Sequence, residues 1–165
     1  MRARARGERA VLRTLFLLAL LTAPQTAQAQ SQRTPVAIVV HPGTPIDDIS
    51  FAQLRRIFLG EQQYWAGNAR ITLLVRAPES FEREFVLDRI YRMNEGQFRQ
   101  YWIAKLFRAE VASGPKIVYS SEMALELVTA IRGAITFVAA SAVQPGAKVI
   151  RVDGKLPGET GYPLR

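Results

Sequence analysis

Val36-Ala37-Ile38-Val39-Val40, closed by His41-Pro42-Gly43, decides how this chain is read. Four of the five apolar residues are β-branched, and the run stops at a turn sequence. An apolar run without polar alternation is covered on both faces, as strands of parallel sheets between helices are. Just downstream the period changes. Ser50 is placed to cap a helix whose apolar residues Phe51, Leu54, Ile57 and Phe58 recur at helical spacing, and Gly60 ends it. A buried strand followed by an amphipathic helix is the unit from which layered α/β domains are built.

The same alternation continues outward. Residues 61–68 make a polar connection carrying Tyr64-Trp65, a pair expected to pack onto the domain. Residues 71–75 form a second apolar strand, followed by the tight loop Arg76-Ala77-Pro78-Glu79-Ser80. Ser80 is a candidate N-cap, with Glu82 and Glu84 in the first helical turn, and this helix is expected to run to about Arg92. Asn94 caps the next, which reaches Phe107 with Phe98, Trp102 and Leu106 on one side. A short strand over 117–119 leads to a helix capped by Ser120 or Ser121, with Ala124, Leu127, Val128 and Ile131 inward and Gly133 at its end. Ala134–Ala139 and residues 148–152 read as the last strands, and residues 154–165 as loop. This order predicts a single three-layer α/β lobe with a mostly parallel sheet flanked by helices.

The N-terminus has a different character. Arg2, Arg4, Arg6, Arg9 and Arg13 face one acid, Glu8, and the apolar run 15–21 follows. Pro24 and the small-residue pattern Ala27-Gln28-Ala29 complete the order of a cleavable signal peptide over residues 1–29. The apolar stretch is well short of the ~20 residues that span a bilayer, so no membrane span is expected after cleavage. The domain proper is then residues 30–165, periplasmic or secreted. The full chain carries 22 Lys and Arg against 14 Asp and Glu, and residues 1–29 hold five of the arginines and one glutamate. That leaves 17 against 13, a net +4. Such a mild excess suits a small anion and is too scattered to indicate nucleic acid.

Several chemistries are excluded. The chain has no cysteine, so no disulfide, thiolate metal site or Cys nucleophile. His41 is the sole histidine and has no partner at metal-ligand spacing. There is no G-x-S-x-G elbow, no G-x-G-x-x-G and no P-loop, so neither an enzyme nor a cofactor is expected. Three loops feed helices through a hydroxyl residue: 41–50, 76–80 and 119–121. Helix N-termini there attract anions, and Arg76 adds planar donors suited to an oxyanion. The expected ligand-binding residues are Thr44, Arg76, Ser80 and Ser121.

The segment Ser50-Phe51-Ala52-Gln53-Leu54-Arg55-Arg56-Ile57-Phe58-Leu59-Gly60 resembles the L-x-x-I-F-x-G helix of periplasmic phosphate-binding proteins of ABC transporters. Gly133-Ala134-Ile135-Thr136-Phe137-Val138 is similar to that family's G-A-I-G-Y-V strand, and Tyr162-Pro163-Leu164 to its terminal Y-P-L. The resemblance covers residues 36–164. It implies one lobe of the type 2 periplasmic-binding-protein fold and a phosphate-like ligand. Family members that grip phosphate resemble R-x-D-x-S-G-T in the second loop. Arg76 and Ser80 match, whereas Pro78, Phe81 and Glu82 stand where Asp, Gly and Thr would. A length near one lobe and a glutamate beside the expected anion imply weak capture. The alternative is an interaction module on the same fold, without a small ligand, that docks on an envelope partner or on itself. It predicts an exposed apolar patch around Tyr64-Trp65 or Tyr101-Trp102.

Overall fold

The computed structural model describes residues 34–165. The segment read as a signal peptide, residues 1–29, lies outside the described residues. The elements are strands β1 (Val36–Val40), β2 (Asp48–Ile49), β3 (Thr72–Arg76), β4 (Lys116–Val118), β5 (Ala134–Ala139), β6 (Lys148–Val149) and β7 (Arg151–Val152), with helices α1 (Phe51–Phe58), α2 (Phe81–Val86), α3 (Glu95–Phe107) and α4 (Ser121–Ala130). Five strands form one sheet in the order β4-β3-β5-β1-β6. β3 pairs parallel with both β4 and β5, while β1 pairs antiparallel with both β5 and β6. Four strands therefore point one way and β1 alone runs against them. Its apolar run fixes its burial on both faces, as expected, but not its direction.

Alternation along the strands divides the core in two. Val36, Ile38, Val40, Leu73, Val75, Ile135 and Phe137 meet α1, α2 and α3 on one face. Val39, Leu74, Ala134 and Val138 meet Ala124, Leu125 and Val128 of α4 on the other. The result is the three-layer lobe expected, with one helix on the second face. Phe58 bridges the first layer, its ring 5.9 Å from Phe137 and 6.0 Å from Tyr91.

Helix ends behave as their caps require. Ser50 accepts the Gln53 N–H, and Asn94 with Gln97 closes a reciprocal capping box on α3. α2 passes into a π-helical turn, Leu87–Tyr91, and stops at Arg92 with φ 56°. Leu106 proves exposed rather than inward, and Leu125 is buried in addition to Leu127, which packs partly buried against the same core. Gly133 turns α4 into β5 at φ 79°, where a Cβ would collide with the Arg70 carbonyl. Trp65 is buried behind that turn and donates its indole N–H to the Gly133 carbonyl at 2.9 Å.

The C-terminal residues have no regular structure, yet they close the sheet. Val36 donates to the Leu164 carbonyl at 2.9 Å, and the buried Tyr162 hydroxyl donates to the Val36 carbonyl at 2.7 Å. Burial pushes the Tyr162 phenol above its ordinary range. Tyr162→Phe withdraws that donor and is expected to lower unfolding stability by about 1–2 kcal/mol, measured by urea titration.

Candidate functional site

Arg76 is the last residue of β3, where the strand leaves the sheet. Its side chain is 90% buried, with relative exposure of 10%. Its Nε and Nη1 groups find no hydrogen-bond partner, and the nearest charge is Glu82 of α2, 4.0 Å from Nε. A guanidinium normally fills its planar fork with acceptors. Here two buried donors are idle, as are the Thr44 hydroxyl, the Tyr91 hydroxyl and the Trp102 indole N–H.

The loop after Arg76 is fixed from within. Glu79 takes a left-handed conformation at φ 70°. That region is costly for a residue with a side chain, and such strain concentrates at functional loops. Ser80 caps α2 by accepting the Arg83 N–H at 3.3 Å, and it donates to the Ala77 carbonyl at 3.1 Å. Its one hydroxyl proton is thus committed to the loop itself. Beside it, β4 runs parallel to β3 with Arg76 level with Val118. The chain then enters α4 through Ser120, whose hydroxyl accepts the Met123 N–H at 3.0 Å. Ser120 is therefore the cap and Ser121 the first helical residue. The Ser121 N–H belongs to the first turn, where the helix itself offers no acceptor. At Glu122 a backbone amide and the Ser120 hydroxyl hold the carboxyl below its usual range, with a smaller contribution from the Arg76 charge.

Arg76, Ser80 and Ser121 thus gather at the ends of β3 and β4, but Thr44 does not join them. In a parallel arrangement the loop after β1 would share that end of the sheet. Because β1 is antiparallel, Val40 lies level with Ile135 and so with Leu73, the strand start. Three residues of strand, ~10 Å, separate that level from Arg76. Thr44 is buried in its own loop, where its carbonyl accepts from Lys148 at 2.8 Å, and Lys148 also pairs with Asp47 at 3.0 Å. His41 accepts the Gly43 N–H on Nδ1 at 2.9 Å and is part of the same turn.

Two further residues hold the site and were not singled out from the sequence. Arg83, almost wholly buried, donates to the Arg76 carbonyl at 2.7 Å and forms a two-pronged pair with Glu95, both contacts at 2.8 Å. Its guanidinium also lies 4.7 Å from the Phe98 ring centre. This pair draws the Glu95 carboxyl below its ordinary range. The signal was present: Arg83 stands at i relative to Val86, Leu87 and Ile90, so it begins the apolar stripe of its helix. A charge on that stripe needs a buried partner. The grooves beside the loop, of about 710 Å³ and 410 Å³, are lined by Pro78, Arg83 and Glu95. Arg76 itself lines neither groove.

Among the described residues no cluster of three His, Asp or Glu could hold a metal ion, and no helix is long and apolar enough to cross a membrane. Of the aromatic pairs expected at an apolar patch, Tyr64 is exposed, while Trp65 and Trp102 are buried. Large apolar side chains are also exposed at Ile103, Leu106, Phe107 and Tyr119, with Phe107 91% exposed.

Comparison with solved structures shows an architecture shared in fold with several substrate-binding proteins. The chain is similar to an ABC-type phosphate transport receptor from Vibrio cholerae, with a TM-score of 0.64 and 21% identity over 79% of this chain and 52% of that one. It is similar to a phosphate ABC transporter substrate-binding protein from Clostridium perfringens with bound phosphate (TM-score 0.58, 20% identity, 73% of this chain and 45% of that one). It also resembles PstS from Borrelia burgdorferi (TM-score 0.58, 19% identity, 74% and 49%). The chain spans about half the length of these structures. At such identities the likeness is one of fold. No family model and no curated protein matches the chain.

Proposed function

We propose that this chain is an exported, non-enzymatic, single-lobe solute-binding protein that takes a small phosphate-like oxyanion at Arg76. The observation that carries this reading is the buried Arg76 guanidinium with two idle donors beside the first turn of α4. The fold it shares with phosphate-binding neighbours supports the reading, and residues 1–29 supply the export signal. Ser80 and the first turn of α4 at Ser121 complete the anion's surroundings, with Ser80 turning its hydroxyl away from the Ala77 carbonyl. Thr44 has no part in it. Calorimetry with phosphate and sulfate is the test. Weak heat that disappears in Arg76→Ala is the expected result. No heat with either of them, together with an unchanged Arg76→Ala variant, overturns the reading.

Glu82 sets the strength. Its largely buried carboxylate stands 4.0 Å from Arg76 Nε. An incoming oxyanion must displace it or lie against it. Glu82→Gln removes that like charge and is expected to tighten oxyanion binding about tenfold, read by the same calorimetry.

A second reading follows from the exposed Ile103, Leu106 and Phe107 of α3 and from Tyr119. An interaction module on this fold would bury that face against an envelope partner or a second copy. Light scattering that returns a dimer mass in wild type and a monomer mass in Phe107→Ser would favour it.

A further inference from the structure

A cavity of about 290 Å³ lies at the opposite end of the sheet from Arg76. Its origin is a mismatch in strand length. β4 joins β3 only from Lys116, which is level with Leu74, so Thr72 and Leu73 have no β4 partner. Residues 111–115 bow away at that point and leave a hollow under the C-terminal end of α1. Its floor is apolar, made by Ile57, Leu73, Val111 and the six-membered ring of Trp102. Gly60 lets that ring approach, because a Cβ there would lie 2.9 Å from its edge.

The walls carry one sign of charge. Arg70 and Lys116 line the cavity, and no Asp or Glu does. Among the described residues neither cation forms a salt bridge, and the polar contact of the Arg70 guanidinium is a long one, 3.5 Å to the Ser113 hydroxyl. The acid of the neighbouring loop, Glu110, is already held by Lys105 at 3.1 Å and Arg108 at 3.3 Å. Two solvent-exposed cations without an ion-pair partner, over an apolar floor, suit a ligand with matching halves.

We propose that this cavity binds a small organic monocarboxylate, its carboxylate between Arg70 and Lys116 and its apolar body against Trp102 and Val111. The site is separate from Arg76 and involves none of the residues that would hold an oxyanion there. It also differs in kind, since an inorganic oxyanion has nothing to place on the apolar floor.

The test titrates the full chain with benzoate and hexanoate, and with benzamide and hexanamide as neutral matches, followed by backbone amide chemical shifts. The acids are expected to saturate with a Kd of about 1 mM and to move the signals of Gly60, Ser113 and Gly114. The amides should bind at least about tenfold more weakly, as should the acids to a folded Arg70→Gln/Lys116→Gln variant, while Arg76→Met combined with Glu82→Gln leaves the affinity for the acids as it is. Absence of shifts with both acids overturns the proposal. So do acids and amides of equal affinity, an unaffected Arg70→Gln/Lys116→Gln variant, or binding that is lost in Arg76→Met combined with Glu82→Gln. A Val111→Trp variant that fills the floor provides a second check, because it should abolish binding with both cations in place. Failure here leaves the oxyanion reading of Arg76 standing, since that reading is measured with phosphate and sulfate.

Discussion

Glu95→Ala is expected to lower the unfolding free energy by roughly 3 kcal/mol, because it strands the Arg83 guanidinium in the interior without its counter-charge. Arg83 cannot swing out to water. Its side chain is 3% exposed, pinned by the Arg76 carbonyl and packed on Phe98. Glu95, by contrast, is about one-third exposed, so removing Arg83 leaves a carboxylate that water can still reach. The asymmetry yields a cycle. Arg83→Met combined with Glu95→Ala should recover most of the loss, since a buried pair replaced by apolar groups is often nearly neutral. About 1 kcal/mol should remain missing for the Arg76 carbonyl left without its donor. Urea unfolding at constant m-value measures both variants. The acid limb of the stability curve provides an independent reading. The folded-state pKa of Glu95 is depressed by Arg83, so the pair's contribution is present above the ordinary carboxylate range and fades as pH falls through the lowered value. In Glu95→Ala that part of the acid sensitivity should be absent.

Arg76→Met combined with Glu82→Gln is expected to abolish oxyanion binding and to raise stability by about 1–2 kcal/mol. The two effects have a single origin. Arg76 is a buried charge with two unfilled donors and one partner at the limit of ion-pair distance. Such a group costs stability until a ligand completes it. The double replacement is needed because Arg76→Met alone would leave the largely buried Glu82 carboxylate without its cation. A structural arginine would give the opposite result, with stability falling on substitution. Thermal melts with and without phosphate separate the two, since only wild type should gain stability from added ligand.

Much of the fold could be read in the sequence because it rests on short-range rules. Val36–Val40 and Ala134–Ala139 form strands within the limits expected, and Ser50, Ser80 and Asn94 cap the helices they precede. Arg76 could be singled out because an arginine at the end of a buried strand, opening a turn before a helix, has few local partners. The misreadings share one cause. Leu106 has helical spacing like that of Phe98 and Trp102, yet in the last turn of α3 it is Lys105 that is buried, while Leu106 and Phe107 face solvent. Asp48–Ile49 looked like loop, because a two-residue strand exists only through its parallel partner Arg151–Val152.

The sequence alone determined that this is an α/β lobe, where its strands and helices lie, and that Arg76 and Ser80 open one helix. Tertiary structure alone decided which loops meet. A burial pattern is unchanged when a strand is reversed, so Val36–Val40 could report that both its faces are covered and not which way it runs. Its antiparallel placement between β5 and β6 sends Thr44 to the far end of the sheet and leaves Arg76, Ser80 and Ser121 together. The same long-range geometry made Arg83 the support of the Arg76 carbonyl. It also left Arg76 itself without acceptors, a property of packing that no local pattern encodes.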